Sequence, residues 1–352
     1  MRTRTEVPFA ELTTLRLGGP ARRLVVAETE ADLVAAVRAA DHAAAADQAA
    51  PGGPALVLGG GSNLVVADAG VEATVVQVAT RGVQVRADGD VATLTVAAGE
   101  PWDDLVRQAV AEGWSGVEAL VGIPGLVGAT PVQNVGAYGQ EVGDCLARVR
   151  VLDRRRGTVE EWPAAACGLG YRTSVFKRTP GRWVVLAVTL VLPVGGLGRP
   201  IRYAELARAL GVAPGAAVPL AEVAQAVLGL RRAKGMVLDP ADPDACSAGS
   251  FFTNPLLDPA AAARLPPDAP RWPQPDGRVK TSAAWLIERA GFAKGYGDGA
   301  VRISTKHPLA LTHRGGGSTA ELVALAREVR DGVRRRFGVT LEPEPVLVGV
   351  HL

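Results

Sequence analysis

The sequence predicts a globular protein of mixed helices and strands in about two domains. With 352 residues, the chain is long enough to bury two domain-sized cores. Hydrophobic residues make up 48% of the chain and charged residues 21%, as in folded rather than disordered proteins. A Gly/Pro-rich stretch at 193–200 marks a shift in composition, and we expect a domain boundary there.

Helix caps and apolar runs predict the elements of the first half. Thr29 and Asp32 form a capping box before an alanine-rich helix, which we expect to end before Pro51. A helix that begins at Pro101 should end at Gly113. Short apolar or alternating runs predict strands at 55–58, 74–78, 83–85, 91–97, 149–152 and 183–192.

Three helices are predicted beyond the boundary. The first covers 219–230, and Ser282 caps the second. The clearest follows Ser318, which forms a capping box with Glu321 before an apolar stripe at helical spacing. Gly338 is placed to end this helix.

Charge and composition exclude several classes of function. Lys and Arg number 38 against 36 Asp and Glu, so we expect neither a nucleic-acid nor a membrane partner. The longest apolar run, 183–193, is shorter than the ~20 residues that a membrane helix needs. The first residues lack the apolar core of a signal peptide, which predicts a cytoplasmic protein. Cys145, Cys167 and Cys246 are scattered, so we expect neither a disulfide framework nor a metal site.

Two glycine-rich loops are the most informative feature. One is LGGGSNL at 58–64, and the other is VGIPGLVGATPVQNVGAYGQEVG at 121–143. The bare backbone N–H groups of such loops can cradle an anion, and Gln133 and Asn134 add side-chain donors. The first loop matches neither the dinucleotide nor the P-loop pattern. Together the loops favour one large, multiply charged ligand.

Three further segments contain candidate catalytic groups. In GYRTSVFKR, at 170–178, Arg172 and Lys177 beside aromatic residues are suited to anchor an anion. In SAGSFFTNP, at 247–255, Ser250 lacks the G-x-S-x-G context of a nucleophile and is better suited to donate a proton. LEPEP, at 341–345, has two carboxylates. Each segment alone also fits a plain strand or loop.

Five segments occur in this order: GGGSNL, GIPGLVGATPVQNVGAYG, GYRTSVFK, SAGSFFTNP and LEPE. This ordered set resembles the UDP-N-acetylenolpyruvoylglucosamine reductases of the first subtype, which are flavoenzymes of peptidoglycan synthesis. The resemblance runs from 13 to 349. It implies an α+β fold, with an FAD-binding domain of the vanillyl-alcohol-oxidase type in two subdomains and a smaller α+β substrate-binding domain. The implied FAD-binding domain is 1–198, with subdomains of about 1–70 and 71–198 and a returning strand at 341–352. Residues 199–340 would bind the substrate.

The resemblance also implies roles by position. The family's three catalytic positions are taken by Arg172, Ser250 and Glu344. Positions that contact the substrate are taken by Tyr203, Lys234 and Asn254. Positions that would hold the FAD are taken by Gly59, Gly60, Gly61, Ser62, Asn63, Gly122, Ile123, Pro124, Gly125, Gly128, Ala129, Gln133, Asn134, Gly136, Ala137 and Tyr138.

The implied reaction is the reduction of UDP-N-acetylglucosamine enolpyruvate to UDP-N-acetylmuramate, with bound FAD and NADPH as co-substrate. The flavin N5 would give hydride to the enolpyruvyl methylene carbon, and Arg172 would hold the negative charge that develops. Ser250 would protonate the adjacent carbon, with Glu344 supporting the same site. A serine can do this because a carbanion is far more basic than an alkoxide. We expect a small-molecule substrate and a monomer.

Two departures from the family pattern leave assignments open. Proline and valine follow LEPE where the family has valine and arginine, so Glu342 stays an alternative to Glu344. The segment between Lys234 and Ser250 is longer than the common spacing, which leaves the role of Lys234 open.

Two other functions remain alternatives. One is an oxidase of the same flavin superfamily that uses oxygen, and the other is a non-catalytic protein that binds a nucleotide sugar or flavin. The motifs around Arg172 and Ser250 weigh against the oxidase. The presence of Arg172, Ser250 and Glu344 together weighs against a silent binding protein.

Overall fold

The computed structural model describes residues 1–46 and 54–352, which divide into two units. The first unit comprises Met1–Val7, Ala21–Gly60 and Glu72–Ala233. The second comprises Pro8–Pro20, Gly61–Val71 and Lys234–Leu352. Each unit is therefore assembled from three separate stretches of chain.

The helices of the described residues are α1 (Glu30–Ala46), α2 (Trp102–Ala111), α3 (Val175–Arg178), α4 (Ala204–Leu210), α5 (Leu220–Ala233), α6 (Pro259–Ala263), α7 (Ala283–Arg289) and α8 (Thr319–Phe337). The strands of the described residues are β1 (Arg2–Pro8), β2 (Pro20–Ala27), β3 (Leu56–Leu58), β4 (Leu64–Val66), β5 (Val71–Val78), β6 (Val83–Asp88), β7 (Val91–Ala97), β8 (Gly136–Ala137), β9 (Gln140–Glu141), β10 (Leu146–Asp153), β11 (Thr158–Pro163), β12 (Trp183–Pro193), β13 (Ser247–Ser250), β14 (Leu256–Leu257), β15 (Arg271–Pro273), β16 (Val279–Thr281), β17 (Val301–Ile303), β18 (Ala310–His313) and β19 (Val346–Val348).

An antiparallel sheet in the order β11-β10-β12-β7-β6 forms the centre of the first unit. Its inner face shares one core with α2, α4 and α5, and Trp102 of α2 is 1% exposed. A second sheet, β1-β2-β5-β3, shares a core with α1. Because α4 and α5 pack in the first core, packing divides the chain at 233/234. The boundary at 198/199 concerns function and stays a prediction.

The second unit contains the three-stranded sheets β13-β18-β17 and β14-β16-β15. Its core is formed by Phe251 and Phe252 with the apolar faces of α7 and α8. Strand β19 pairs in parallel with β4, so the C-terminal strand joins a segment from the first seventy residues.

The capped helices predicted from the sequence are confirmed. The hydroxyl of Thr29 accepts from the N–H of Asp32 at 3.1 Å, and Ser318 forms the full capping box with Glu321. Gly338 ends α8 with φ of 69°. The predicted stop of α1 at Pro51 lies outside the described residues. Strand β1 was not predicted, because its exposed residues give no apolar alternation.

Candidate active site

Near the start of the long glycine-rich loop, both backbone polar groups of Gly122 are held by side chains. The N–H of Gly122 donates to a carboxylate oxygen of Asp103, and its carbonyl accepts from Nη2 of Arg231 at 3.2 Å. Gly122 has φ of 73°, which glycine adopts without the steric cost that a side chain would bring. Asp103 lies in the first turn of α2 and Arg231 in the last turn of α5, so two helices fix the start of the loop.

The two glycine-rich loops lie against each other in the first unit. A Cβ on Gly60 would come within 2.8 Å of the Cα of Gly125. A Cβ on Gly128 would lie 2.4 Å from that of Ala98, whose carbonyl accepts from the Gly128 N–H at 2.9 Å. Only glycine fits at these positions, so the paired loops present backbone rather than side chains. Such a surface suits a diphosphate, and these residues therefore fit the FAD that the resemblance implies.

The end of the first glycine-rich loop belongs to the second unit. Gly61 has φ of 63°, and a Cβ there would lie 2.0 Å from the carbonyl oxygen of Leu12. The carbonyl of Asn63 accepts from the N–H of Val346 at 3.0 Å, and its side chain donates to the carbonyl of Glu344 at 3.4 Å. Asn63 thus supports the backbone of the segment that contains Glu344. Its predicted contact with FAD stays a prediction.

A two-residue turn places the ring of Tyr138 near the end of the long loop. Strands β8 and β9 form a short hairpin, and Tyr138 and Gly139 between them have φ of 50° and 87°. Two successive positive φ values are those of a type I′ turn. Burial raises the pKa of Tyr138 to about 12. Its ring meets that of Tyr203 edge to face at a centroid distance of 5.5 Å, so both tyrosines share one aromatic surface.

A buried carboxylate anchors this hairpin. Glu118 is fully buried and accepts from the N–H of Gly116 at 2.6 Å, the side chain of Gln140 at 2.6 Å and the N–H of Arg199 at 2.9 Å. Gln140 in turn accepts from the N–H of Ala119 at 2.8 Å. Three donors offset the cost of burying this carboxylate, and they hold β9 in place.

Arg172 lies in a tight turn. The N–H of Gly170 donates to the carbonyl of Thr173 at 3.0 Å, and the N–H of Thr173 donates back at 3.2 Å. Arg172 has φ of 52°, a left-handed conformation that costs a non-glycine residue about 1–2 kcal/mol. Nη2 of Arg172 donates to the carbonyl of Gly136 at 2.8 Å. The guanidinium is therefore fixed against the hairpin of the long loop.

Three more side-chain bonds join the segment 170–178 to the long loop. They are Nδ2 of Asn134 to the carbonyl of Gly170 (3.4 Å), Oγ of Ser174 to the carbonyl of Val132 (2.5 Å) and Nζ of Lys177 to Oε1 of Gln133 (3.2 Å). The structure thus brings together two motifs that are separate in the sequence. Gln133, Asn134 and Arg172, all predicted site residues, belong to one hydrogen-bonded group.

Backbone strain is concentrated in this group. Among the described residues, five non-glycine residues have positive φ, and three of them are Asn134, Tyr138 and Arg172. Such conformations persist only where surrounding contacts impose them, and they cluster at functional sites. The positions of these three residues are consistent with the predicted active site.

In the second unit, Ser250 ends strand β13 opposite Ala310 of β18. Gly249 before it has φ of 74°, so Ser250 follows a backbone bend. Phe251 and Phe252 are each 1% exposed, and the centroids of their rings are 5.1 Å apart. Ser250 itself is half-buried, next to this apolar wall.

The two carboxylates of the C-terminal segment have different surroundings. The N–H of Glu344 donates to the carbonyl of Phe251 at 2.8 Å, and Glu344 is half-buried. Glu342 is exposed. The difference in exposure favours Glu344 over Glu342 as the carboxylate that shares a site with Ser250, and the assignment stays a prediction.

The three residues predicted to contact the substrate have different settings. Tyr203 precedes α4 in the first unit and is 45% exposed. Lys234 follows α5 and is half-buried. Oδ1 of Asn254 accepts from the N–H of Ala283 at 3.0 Å, at the start of α7, so this side chain also has a structural contact. Their roles toward the substrate stay predictions.

Four residues that hold the site were not identified from the sequence. Asp103 and Arg231 occupy the acidic first turn and basic last turn of helices, where such residues are ordinary. Glu118 and Ser174 bond to residues or carbonyls 22 and 42 positions away, and no local pattern reveals such partners. The one local signal is the position of Glu118 within the apolar run 117–121, which indicates a buried carboxylate.

Two further observations concern other classes of site. Within residues 1–46 and 54–352, no group of three or more His, Cys, Asp or Glu side chains is arranged to hold a metal ion. In the same residues, no helix is both long and apolar enough to span a membrane.

Comparisons with known proteins support one family. A model described as an FAD binding domain matches residues 21–162, and one described as the UDP-N-acetylenolpyruvoylglucosamine reductase C-terminal domain matches 240–348. The UDP-N-acetylenolpyruvoylglucosamine reductase of Thermobifida fusca is 56% identical over 98% of this chain and 98% of its own. That of Salinispora arenicola is 55% identical over 99% of this chain and 96% of its own.

A solved structure agrees with these matches. The crystal structure of UDP-N-acetylenolpyruvylglucosamine reductase from Thermus caldophilus covers 99% of each chain, with a TM-score of 0.66 and 27% identity. Together with the FAD-binding match, it confirms the predicted α+β class with an FAD-binding domain.

Proposed function

The chain belongs to the family of UDP-N-acetylenolpyruvoylglucosamine reductases, and we propose that it reduces UDP-N-acetylglucosamine enolpyruvate to UDP-N-acetylmuramate for peptidoglycan synthesis, with bound FAD and with NADPH as reductant. The observation that most supports this proposal is the bond from Arg172 to the carbonyl of Gly136. It fixes a cation on a strained turn, against the loop that we assign to FAD.

We assign the FAD to the paired glycine-rich loops. Gly59–Asn63 and Gly122–Tyr138 would hold its diphosphate and isoalloxazine, and the close approach of Gly60 to Gly125 supports this assignment. When bound, FAD supplies the hydride transfer that no side chain of this chain can perform.

Arg172 would stabilise the charge that develops on the substrate. Addition of hydride to the methylene carbon pushes negative charge toward the carboxylate as an enolate. A cation already held in position stabilises this charge without reorganising during the reaction. The tight turn and the Gly136 bond hold the guanidinium in this way.

Ser250 would protonate the adjacent carbon, and Glu344 would support the same end of the substrate. The Glu344 N–H bonds to the carbonyl of Phe251, the residue after Ser250, so the two segments are held side by side. Phe251 and Phe252 lie in the core of the second unit, so they hold the backbone that follows Ser250 in place.

The remaining contacts would bind the nucleotide sugar. Tyr203, whose exposed ring touches Tyr138, would cover the nucleotide. The ammonium of Lys234 would pair with the diphosphate, and Asn254 would bind neighbouring groups.

An anaerobic titration tests the proposal. The visible spectrum is recorded after addition of NADPH and then of UDP-N-acetylglucosamine enolpyruvate. We expect flavin colour that bleaches with NADPH and returns with the substrate. Colour that returns only with oxygen would favour the oxidase, and a protein unable to bind FAD would contradict the assignment.

Replacing Ser250 with Ala tests the proton donor. We expect reoxidation by the substrate to slow by about 10²- to 10⁴-fold, the range for general acids. Reduction by NADPH should hardly change. The control is Ser282→Ala, which removes the cap of α7 and should lower stability without slowing reoxidation. Wild-type reoxidation in Ser250→Ala would rule out the proton-donor role.

A further inference from the structure

The segment between Lys234 and Ser250 contains a buried carboxylate. Asp244 is 2% exposed and lies in a single helical turn at Pro243–Ala245. Asp242 caps this turn by accepting from the N–H of Asp244 at 3.0 Å. The segment is therefore ordered around Asp244 and does not form a loose loop.

Asp244 holds two other parts of the second unit. It accepts from the N–H of Thr305 at 2.9 Å, from the hydroxyl of Thr305 at 2.6 Å and from Nη2 of Arg314 at 2.5 Å. Burial alone raises the pKa of Asp244, but bonds from Thr305 and Ser304 and the charge of Arg314 outweigh it, so the pKa is lowered. The carboxylate is therefore charged at neutral pH, and this charge is compensated.

The connection between β17 and β18, which Asp244 holds through Thr305, supports Ser250. Within this connection, the N–H of Ser304 donates to the carbonyl of Ala310 at 2.8 Å. Ala310 lies opposite Ser250 in the sheet, and the carbonyl of Leu309 accepts from the N–H of Phe251 at 2.7 Å. A shift of Thr305 would therefore move the backbone that positions Ser250.

Asp244 also contacts the residue after Lys234. Gly235 has φ of 65°, and a Cβ there would lie 2.8 Å from the Cβ of Asp244. Any side chain at 235 would collide with Asp244, so the backbone that follows Lys234 packs directly on it. One buried carboxylate thus contacts the supports of two residues that we assign to the substrate.

We propose that Asp244 is a positioning residue, which fixes the proton donor Ser250 and the diphosphate ligand Lys234 relative to each other. The inference rests on the proposed function above. Proton transfer depends steeply on the donor's distance from the reacting carbon, and a misplacement of about 1 Å can slow a reaction by about 10²-fold.

Asp244→Asn tests this role, because it keeps the shape of the side chain and removes its charge. We expect single-turnover reoxidation by the substrate to slow by about 10- to 100-fold. The solvent deuterium isotope effect on this rate should rise, because protonation by a displaced donor would become more rate-limiting. A merely structural loss would lower the fraction of active enzyme and leave the isotope effect unchanged.

The control is Asp242→Asn in the same turn. It removes the ion pair with Lys306 and keeps a good helix cap, so we expect reoxidation close to that of the wild type. If Asp244→Asn fails to fold, Thr305→Val replaces it. That variant removes one hydroxyl bond to Asp244 and keeps the pair with Arg314, and its isotope effect should also rise.

A double-mutant cycle with Ser250→Ala completes the test. If Asp244 acts through Ser250, then Asp244→Asn should slow reoxidation little further in the Ser250→Ala background. Additive effects, or an isotope effect equal to that of the wild type, would overturn the proposal. Wild-type enzyme measured alongside separates the two hypotheses, because its failure to be reoxidised by the substrate would contradict the proposed function itself.

Discussion

Arg172 combines a strained backbone with a held side chain. Its left-handed φ of 52° would be relieved by glycine, and its guanidinium bonds to the carbonyl of Gly136. Arg16 has nearly the same φ, 55°, but its side chain is exposed. Comparing Arg172 with Arg16 therefore distinguishes the effect of a left-handed backbone from the effect of a guanidinium that is held in place.

We expect Arg172→Lys to lower turnover by about 10²-fold, because an ammonium cannot hold the Gly136 carbonyl and the substrate charge with the planar fork of a guanidinium. Stability should change little, since the backbone strain is the same for both residues. Steady-state rates and thermal unfolding, measured with equal FAD content, check this. Arg16→Lys is the matched control and should keep wild-type turnover. Equal losses in both variants would contradict the role of Arg172.

Candidate site residues with a distinctive local setting could be proposed from the sequence, and the residues that support them could not. Arg172 lies among aromatics and Ser250 follows a glycine, so each has a local signal. Asp244 and Glu118 act through residues 61 and 22 positions away. Whether a carboxylate is buried depends on the fold, because the chain must bring its donors together.

At the scale of elements, the hairpin β8–β9 depends on Glu118 more than on its own strands. Two strands of two residues each are too short to be stable alone. Gln140 is held by Glu118, and the turn between the strands requires positive φ at Tyr138. The element that presents Tyr138 is therefore set by a residue outside it.

Glu118→Gln should loosen this hairpin. A neutral amide would replace one acceptor oxygen by a donor, facing N–H groups that need an acceptor. Loss of one or two bonds to a buried carboxylate should lower the free energy of unfolding by about 2–4 kcal/mol. Thermal unfolding and the dissociation constant of FAD check this, with weaker FAD binding expected. Glu112→Gln, on the exposed end of α2, is the control, and an equal effect there would contradict the prediction.

Elements with local end signals were predicted well. Caps identified α1, α7 and α8, because a cap bonds within a few residues of chain. Strand β1 pairs with the next strand, β2, but it is exposed, so no apolar alternation indicates it in the sequence.

The whole molecule differs from a simple succession of domains. Composition suggested one boundary near 193–200, yet α4 and α5 beyond it pack in the first core. The second unit takes Pro8–Pro20 and Gly61–Val71 from the first part of the chain. Composition shifts report linkers, but they do not report strands that return to a distant core.

This architecture predicts that 234–352 does not fold alone. Its core includes Leu15, Leu17 and Val65, each at most 5% exposed, and β19 pairs with β4. Losing three such side chains should remove roughly 5–9 kcal/mol, at about 1.5–3 kcal/mol each. A typical domain has only about 5–15 kcal/mol of stability.

The fragment 234–352 should therefore lack a cooperative thermal transition and give a poorly dispersed amide spectrum. The comparison is a chain in which 61–71 is joined to 234–352 by a flexible linker, which restores β4 and Val65. It should regain part of the dispersion, because pairing with β4 satisfies the backbone of β19. A well-folded fragment 234–352 would mean that the segments from the first part of the chain cover a core that is already stable, rather than complete it.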